Sequence, residues 1–143
     1  MDGKSIVRKF EGCELTAYLC PAGIPTIGYG HTHNVKLGDT CTQQQADEWL
    51  EDDFFHATSD VKAVVKVPLT DNQLDALASF VFNLGVRKLI QSTLLKKLNA
   101  KDYTGAANEF DKWVYGKVNG AMVKLNGLIA RRAAEKALFE SAS

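Results

Sequence analysis

The stretch that decides the reading of this chain is Glu11-Gly12-Cys13-Glu14-Leu15-Thr16-Ala17-Tyr18-Leu19-Cys20-Pro21-Ala22-Gly23-Ile24-Pro25-Thr26-Ile27-Gly28-Tyr29-Gly30-His31. Ahead of it, Ile6, Val7 and Phe10 recur at helical spacing, and Gly12 is a natural helix C-cap. A short helix is therefore expected over Gly3 to Phe10, ending near Gly12 and leaving an acid at its C-terminal end. From Leu15 to Leu37 the texture changes. Pro21, Gly23, Pro25, Gly28 and Gly30 punctuate the β-prone Tyr18, Thr26, Ile27 and Tyr29, which predicts short strands joined by tight turns. This is expected to be the only β-like region of the chain.

Working outward, Thr42-Gln43-Gln44-Gln45 has the form of a capping box, with Thr42 as N-cap and Gln45 reaching back. The run through Trp49, Leu50, Phe54, Val61 and Val65 predicts a long helix over about 43–65, with Asp and Glu near its start to suit the dipole. Pro68 breaks it. Thr70-Asp71-Asn72-Gln73 repeats the capping pattern, and Leu74, Leu77, Ala78, Val81 and Phe82 form the apolar stripe of what should be the most buried helix. Trp113, Phe80 and Phe82 are expected in the core. Further helices are expected at about 87–98, 102–115 and 127–140, with a loop from Gly116 to Asn126 that could hold a small hairpin at Asn119-Gly120. The sum is an α+β chain. It is expected to be one domain over 1–143: a β lobe over about 13–42, a connecting helix over about 43–65, and a helical lobe over about 67–143 that includes the N-terminal helix.

Composition narrows the class. The chain has 143 residues with 45% hydrophobic and 24% charged side chains, which suits an ordinary globular domain and excludes disordered and collagen-like chains. No run approaches the roughly 20 apolar residues of a membrane span, so no stable membrane association is expected. Met1-Asp2-Gly3-Lys4-Ser5 has no apolar stretch of the secretory kind. Lysine plus arginine equals aspartate plus glutamate at 17 each, yet residues 1–66 hold 6 basic and 10 acidic side chains and residues 67–143 hold 11 and 7. Nucleic acid is not an expected partner, because duplex binding needs a strong excess of cations. A basic C-terminal half facing an anionic polymer stays open. Cys13, Cys20 and Cys41 cannot all pair and show no zinc-type spacing, so reduced thiols are expected.

The chemistry sits in the opening stretch. Glu11 occupies a helix end that already carries partial negative charge, a placement that disfavours the anion and suits a general acid. Glu11, eight residues, Cys20, five residues, Thr26, and then Ile27-Gly28-Tyr29-Gly30-His31 resembles the catalytic signature of the phage-type lysozymes, glycoside hydrolase family 24. The resemblance continues through Gln73, Ala76-Leu77, Ser79-Phe80, Phe82-Asn83 and Gly85. It then runs through Ser92-Thr93-Leu94-Leu95, Phe110 and Trp113 to Gly127-Leu128, Arg131-Arg132 and Glu135. It implies a two-lobed fold with peptidoglycan in the cleft. The implied reaction is hydrolysis of the β-1,4 bond between N-acetylmuramic acid and N-acetylglucosamine. Glu11 matches the family's acid and Thr26 its water-orienting hydroxyl. On spacing alone, Thr26 is a β-propensity residue in a strand.

Cys20 departs from the pattern, since the family most often has Asp there. An unperturbed thiol with a pKa of about 8.5 is only a few per cent ionised at neutral pH. Its thiolate could act as base or nucleophile, or Glu11 and Thr26 could carry most of the rate. A disulfide to Cys13 or Cys41 could instead make it a redox switch, and the plainest alternative is a small buried filler. Tyr18, His31, Asn83 and Gln91 are candidate substrate-binding residues, with His31 equally readable as a structural histidine of the cleft wall. Arg131 or Arg132 is a candidate partner for Glu11. His31-x-His33 lacks a third ligand at suitable spacing, so no metal and no cofactor is expected. The resemblance implies an endolysin, expected as a monomer that accumulates in the host cytoplasm and meets the wall after a membrane lesion. The alternatives are a lytic transglycosylase acting on the same bond and a non-enzymatic peptidoglycan-binding relative.

Overall fold

The computed structural model describes residues 2–141. The first helix, α1 (Gly3–Glu11), starts where Asp2 Oδ1 accepts from the Ser5 N–H at 2.9 Å and stops at Gly12, whose φ of +67° only glycine adopts without strain. Ile6 and Val7 are buried, and α1 packs on two later helices, α3 (Asp71–Leu84) and α7 (Asn126–Glu140).

Strand β1 (Glu14–Leu19) pairs antiparallel with β2 (Pro25–Gly28), with Tyr18 opposite Thr26 and a register irregularity nearer Glu14. The segment at Asp39–Cys41 runs along the other edge of β1, through Ala17 N–H to Asp39 O and Cys41 N–H to Leu15 O, both 2.9 Å. After β2 the chain reverses in three residues. Ile27 and His31 exchange backbone hydrogen bonds at 2.9 Å, a turn that needs positive φ at Gly28 (+64°) and Gly30 (+75°).

Helix α2 (Gln43–Val64) follows. Its 22 residues span about 33 Å. Ala46, Leu50, Phe54, Ala57 and Val61 bury one face, and the helix joins β2 to α3. Thr42 caps it by accepting from the Gln45 N–H at 3.1 Å. Its first turn carries no acid; Asp47 and Glu48 come one turn later than expected. The reciprocal capping box forms at Thr70, which accepts from the Gln73 N–H while Gln73 Oε1 accepts from the Thr70 N–H. Within α3, Ala76 to Val81 are all buried, and α3 packs against α1, α2 and α7 as the hub of the core.

Three boundaries differ from the sequence expectation. The helix expected over 87–98 is two, α4 (Val86–Ile90) and α5 (Thr93–Asn99). Ser92 splits them: its hydroxyl donates to Leu89 O at 2.6 Å and accepts from the Leu95 N–H at 3.1 Å. Such a local side-chain bond competes with helix continuation. The helix expected over 102–115 is α6 (Tyr103–Glu109) followed by a 3-10 turn at Phe110–Lys112, because the chain is already entering a strand at Tyr115. Residues 116–126 are mostly a ribbon rather than a loop. β3 (Tyr115–Val118) pairs with β4 (Ala121–Lys124) around Asn119 (φ +52°) and Gly120 (φ +83°). Two positive φ values at Asn-Gly are the signature of a type I′ hairpin. The β-prone stretch near the N-terminus is therefore not the only one.

No helix among the described residues is long and apolar enough to cross a membrane. Thr70→Ala is expected to lower the stability by about 1 kcal/mol, since it removes an N-cap. Urea unfolding should show a shifted midpoint with an unchanged slope.

Candidate active site

Glu11 is the last residue of α1, and its carboxylate meets a helix from the far end of the chain. Arg131 Nη1 donates to Glu11 Oε2 at 2.6 Å. The arginine side chain is 3% exposed and the glutamate 21%, so the pair has a buried cation and an acid that still faces solvent. Gly30 lies on the other side. A Cβ on Gly30 would sit 2.8 Å from Glu11 Oε1, so the three-residue turn after β2 brings bare backbone against the carboxylate. The pocket in front of Glu11, about 350 Å³, is lined by Phe10, Asn83, Leu125, Gly127, Leu128 and Arg131.

Arg131, not Arg132, is the partner of Glu11. Arg131 Nη2 also donates to Ser79 O at 3.2 Å, and its Nε to Glu135 Oε2 at 3.3 Å. Arg132 turns away. Its Nη2 donates to Asn83 Oδ1 at 2.7 Å, its guanidinium lies over the Phe80 ring, and its Nε sits 2.8 Å from Glu135 Oε1 as a charge contact off the hydrogen-bond axis. Ser79 Oγ donates to Glu135 Oε2 at 2.5 Å. Burial pushes the Glu135 carboxyl up, opposed by both arginines and Ser79, and pushes Arg132 down to about 10, still charged at neutral pH.

Cys20 and Thr26 meet across the turn that joins β1 to β2. Cys20 N–H donates to Ile24 O at 3.0 Å, and Gly23 N–H to Cys20 O at 2.8 Å. The Cys20 thiol is held below its usual range, first by the Ile24 backbone, then by the Ala22 backbone and the Thr26 hydroxyl, against a desolvation effect of opposite sign. The departure from Asp thus sits where a turn supplies donors to an anion. Thr26 is buried, and its hydroxyl donates to Ile24 O at 2.9 Å. Cys13, Cys20 and Cys41 are all free thiols. Burial, together with Cys13, pushes the Cys41 thiol up.

The other candidates divide. Tyr18 is half-buried on β1, and its phenol is pushed up by burial and then by Glu11, Glu14 and Cys20, which places it in the same electrostatic neighbourhood as the acid and the thiol. Asn83 lines the Glu11 pocket, with its carbonyl engaged by Arg132. His31 is buried, with Nδ1 2.7 Å from Asp53 Oδ2 and its ring stacked on Trp49 at 4.5 Å. It is locked between the β region and α2, and a second cavity of about 220 Å³ opens beside it. Gln91 is not brought to the group. It caps α4 with an exposed side chain, and no described contact ties it to Glu11. Asp53 and Trp49 gave no sequence signal toward His31. Glu135 stands four residues after Arg131, the spacing of a helical ion pair, and Ser79 is a polar residue inside an apolar stripe.

A small β region and a helical bundle, with one carboxylate held at a pocket by a buried arginine, fit a glycosidase of the lysozyme class. The chain belongs to the phage lysozyme family, whose pattern it matches over residues 8–135. It is 54% identical to the endolysin of Acyrthosiphon pisum secondary endosymbiont phage 1, over 98% of this chain and 96% of that protein. It is 39% identical to the endolysin of Salmonella phage P22, over 98% and 96%. The muramidase domain of SpmX from Asticaccaulis excentricus superposes with a TM-score of 0.90 at 39% identity, covering 98% of this chain and 95% of that one. The chain is a glycoside hydrolase with the α+β lysozyme fold.

Two outcomes follow from the geometry. At pH 7, limiting iodoacetamide should alkylate Cys20 well before Cys41, because the thiolate is the nucleophile and the two thiols are shifted in opposite directions. Peptide mass spectrometry reads the order, and faster labelling of Cys41 would contradict it. Gly30→Ala should cost activity out of proportion to stability, since the methyl group must displace the Glu11 carboxylate and the φ of +75° disfavours it. Lytic rate and thermal unfolding, measured side by side, separate the two effects.

Proposed function

We propose that this chain is an endolysin that hydrolyses the β-1,4 bond between N-acetylmuramic acid and N-acetylglucosamine in peptidoglycan. Glu11 is its general acid, and Thr26 and Cys20 handle the water. The observation that carries the reading is the Glu11 carboxylate, fixed by the buried Arg131 against Gly30 yet open to a pocket. Protonated Glu11 gives its proton to the leaving glycosidic oxygen as the bond to the anomeric carbon breaks. Water adds its oxygen to that carbon, and its surplus proton leaves through the Cys20 side, where turn donors favour a thiolate. Thr26, buried in β2 beside Cys20, orients the water through its hydroxyl. Tyr18, Asn83 and His31 border the substrate.

The whole chain acts as one lysozyme domain. The β lobe is joined through the long helix to the helical lobe, and the protein works as a monomer. The natural setting is accumulation in the host cytoplasm, with release onto the wall through a membrane lesion.

Glu11→Gln is expected to abolish muropeptide release, and Cys20→Ser to lower it at least about tenfold, as removal of a general base does. Near-full activity in Cys20→Ser would remove the thiol from the mechanism. Product masses must show one added water per cut. Anhydro products would make the chain a transglycosylase, and no products at all a binding protein.

A further inference from the structure

Two polar residues one turn apart on α3, Ser79 and Asn83, are each met by one arginine of α7. Arg131 takes Ser79 while it holds Glu11. Arg132 makes no hydrogen bond to the acid and takes Asn83 instead. It is fully buried, with its guanidinium carbon 5.2 Å from the Phe80 ring centre and its Nε 2.8 Å from Glu135 Oε1. From that anchored position its Nη2 donates to Asn83 Oδ1 at 2.7 Å.

This contact decides the orientation of an amide. The two ends of an asparagine side chain are alike in shape and opposite in chemistry, since the oxygen accepts and the NH2 donates. A guanidinium carries donors only, so the end facing Arg132 is the oxygen. The NH2 is then turned away from Arg132. Buried polar side-chain atoms without a partner belong to Arg132 and Glu135 alone among the described residues, so the unbonded Asn83 nitrogen is open to solvent. Asn83 lines the pocket in front of Glu11. Arg131, the other side-chain donor on that wall, is committed through Nε, Nη1 and Nη2. Phe10, Leu125 and Leu128 supply apolar wall. An uncommitted donor beside apolar carbon fits an acetamido group, which presents a carbonyl oxygen and a methyl group together.

We propose that Arg132 is a positioning residue which holds the Asn83 amide with its NH2 toward the Glu11 pocket, where that NH2 donates to the acetamido carbonyl of an N-acetylated sugar. This rests on N-acetylated glycan being the substrate. The cation on Oδ1 also polarises the amide and strengthens the N–H it offers. An amide left to turn would present its oxygen to the carbonyl part of the time, and oxygen facing oxygen is repulsive.

The test compares full-length wild type with Asn83→Asp, Arg132→Lys and the double variant. The substrates are native sacculi and sacculi whose glycan has been N-deacetylated. Asn83→Asp keeps an oxygen on Arg132 and turns a second oxygen to the pocket. Its unfolding midpoint should not fall, because a charged acceptor binds a guanidinium at least as well. On native sacculi its apparent KM should rise about tenfold with kcat within about twofold, the mark of an interaction made equally in ground and transition states. Arg132→Lys keeps a charge beside Glu135 without the fork, and should raise KM about threefold in the same way. In the double variant the lysine should add nothing to the aspartate's effect, since Arg132 acts through Asn83. The wild type should prefer native over deacetylated sacculi by about tenfold, and Asn83→Asp should lose that preference.

An unchanged KM in Asn83→Asp, a loss carried by kcat, or a preference for acetylated glycan as strong as the wild type's overturns the proposal. Additive losses in the double variant overturn the positioning role of Arg132. Should Arg132→Lys not fold, 15N relaxation of the Asn83 side-chain amide in the free wild type decides the same point. A rigid NH2 supports the assignment, and one as mobile as an exposed asparagine's overturns it. Failure of the wild type to cut native sacculi would instead count against the hydrolase reading itself.

Discussion

The guanidinium of Arg131 is the contact on which the rest of the molecule depends. It ties the end of α1 through Glu11, the middle of α3 through Ser79, and the next turn of its own helix through Glu135. Arg131 is nearly fully buried, and a lone cation there would be costly. Two carboxylates and two guanidiniums share the cluster, so their formal charges cancel. Removing one member of such a set typically costs about 3–5 kcal/mol, because the surviving charge is left without a partner. Such a cluster is weak evidence of net stability. Its bonds tie α1, α3 and α7 together at one point.

That placement answers a problem set by the first helix. Glu11 lies at a helix end whose dipole repels the anion, and ordinary surface selection would put a lysine there. Arg131 supplies the missing positive charge from outside the helix. The Gly28-Tyr29-Gly30 turn passes so close that a Cβ on Gly30 would lie 2.8 Å from Glu11 Oε1. The acid is held on one side by a buried cation and on the other by an absent side chain. Cys20 is treated by the same economy. The Ile24 and Ala22 backbone lowers the thiol, so here a turn of the main chain favours the anion.

Local chemistry was the part most legible in the sequence. Gly12 as a helix stop, Thr42 and Thr70 as caps and the glycines of the reversal are short-range signals, and each falls where its neighbours alone would place it. Glu11 and Thr26 could be singled out through the family pattern, since spacing alone left Thr26 an ordinary strand residue. The rest is non-local. Nothing near Glu11 in sequence chooses between Arg131 and Arg132. That choice is made by the phase of α7, which turns Arg131 to α1 and Arg132 to Asn83 and Phe80. Asp53 reaches His31 for the same reason, because the long helix passes under the reversal after β2. The helix expected over 87–98 failed at Ser92, where a hydroxyl serves two backbone partners. The Asn119-Gly120 hairpin carried a turn signal but little apolar alternation, since neither of its faces is core.

The division of charge along the chain means less than its arithmetic suggests. In the C-terminal half, Lys97 and Lys112 converge on Glu109, Lys136 meets Asp111, and Arg131 and Arg132 are spent on Glu11 and Glu135. Glu11 itself comes from the acidic half, so part of the imbalance between halves is cancelled inside the fold. In the acidic half, Glu51 meets Lys4 and Asp53 meets His31. What an approaching anionic polymer feels is the residue left after these pairings, weighted by its nearness to the pocket. Among the described residues Lys117 and Lys124 form no ion pair, and the segment around them contains no acid to offset them. Long-range attraction scales with unscreened local charge rather than with a segment's total. The pairings closed inside the fold therefore decide the outward potential more than the division of charge between the two halves does.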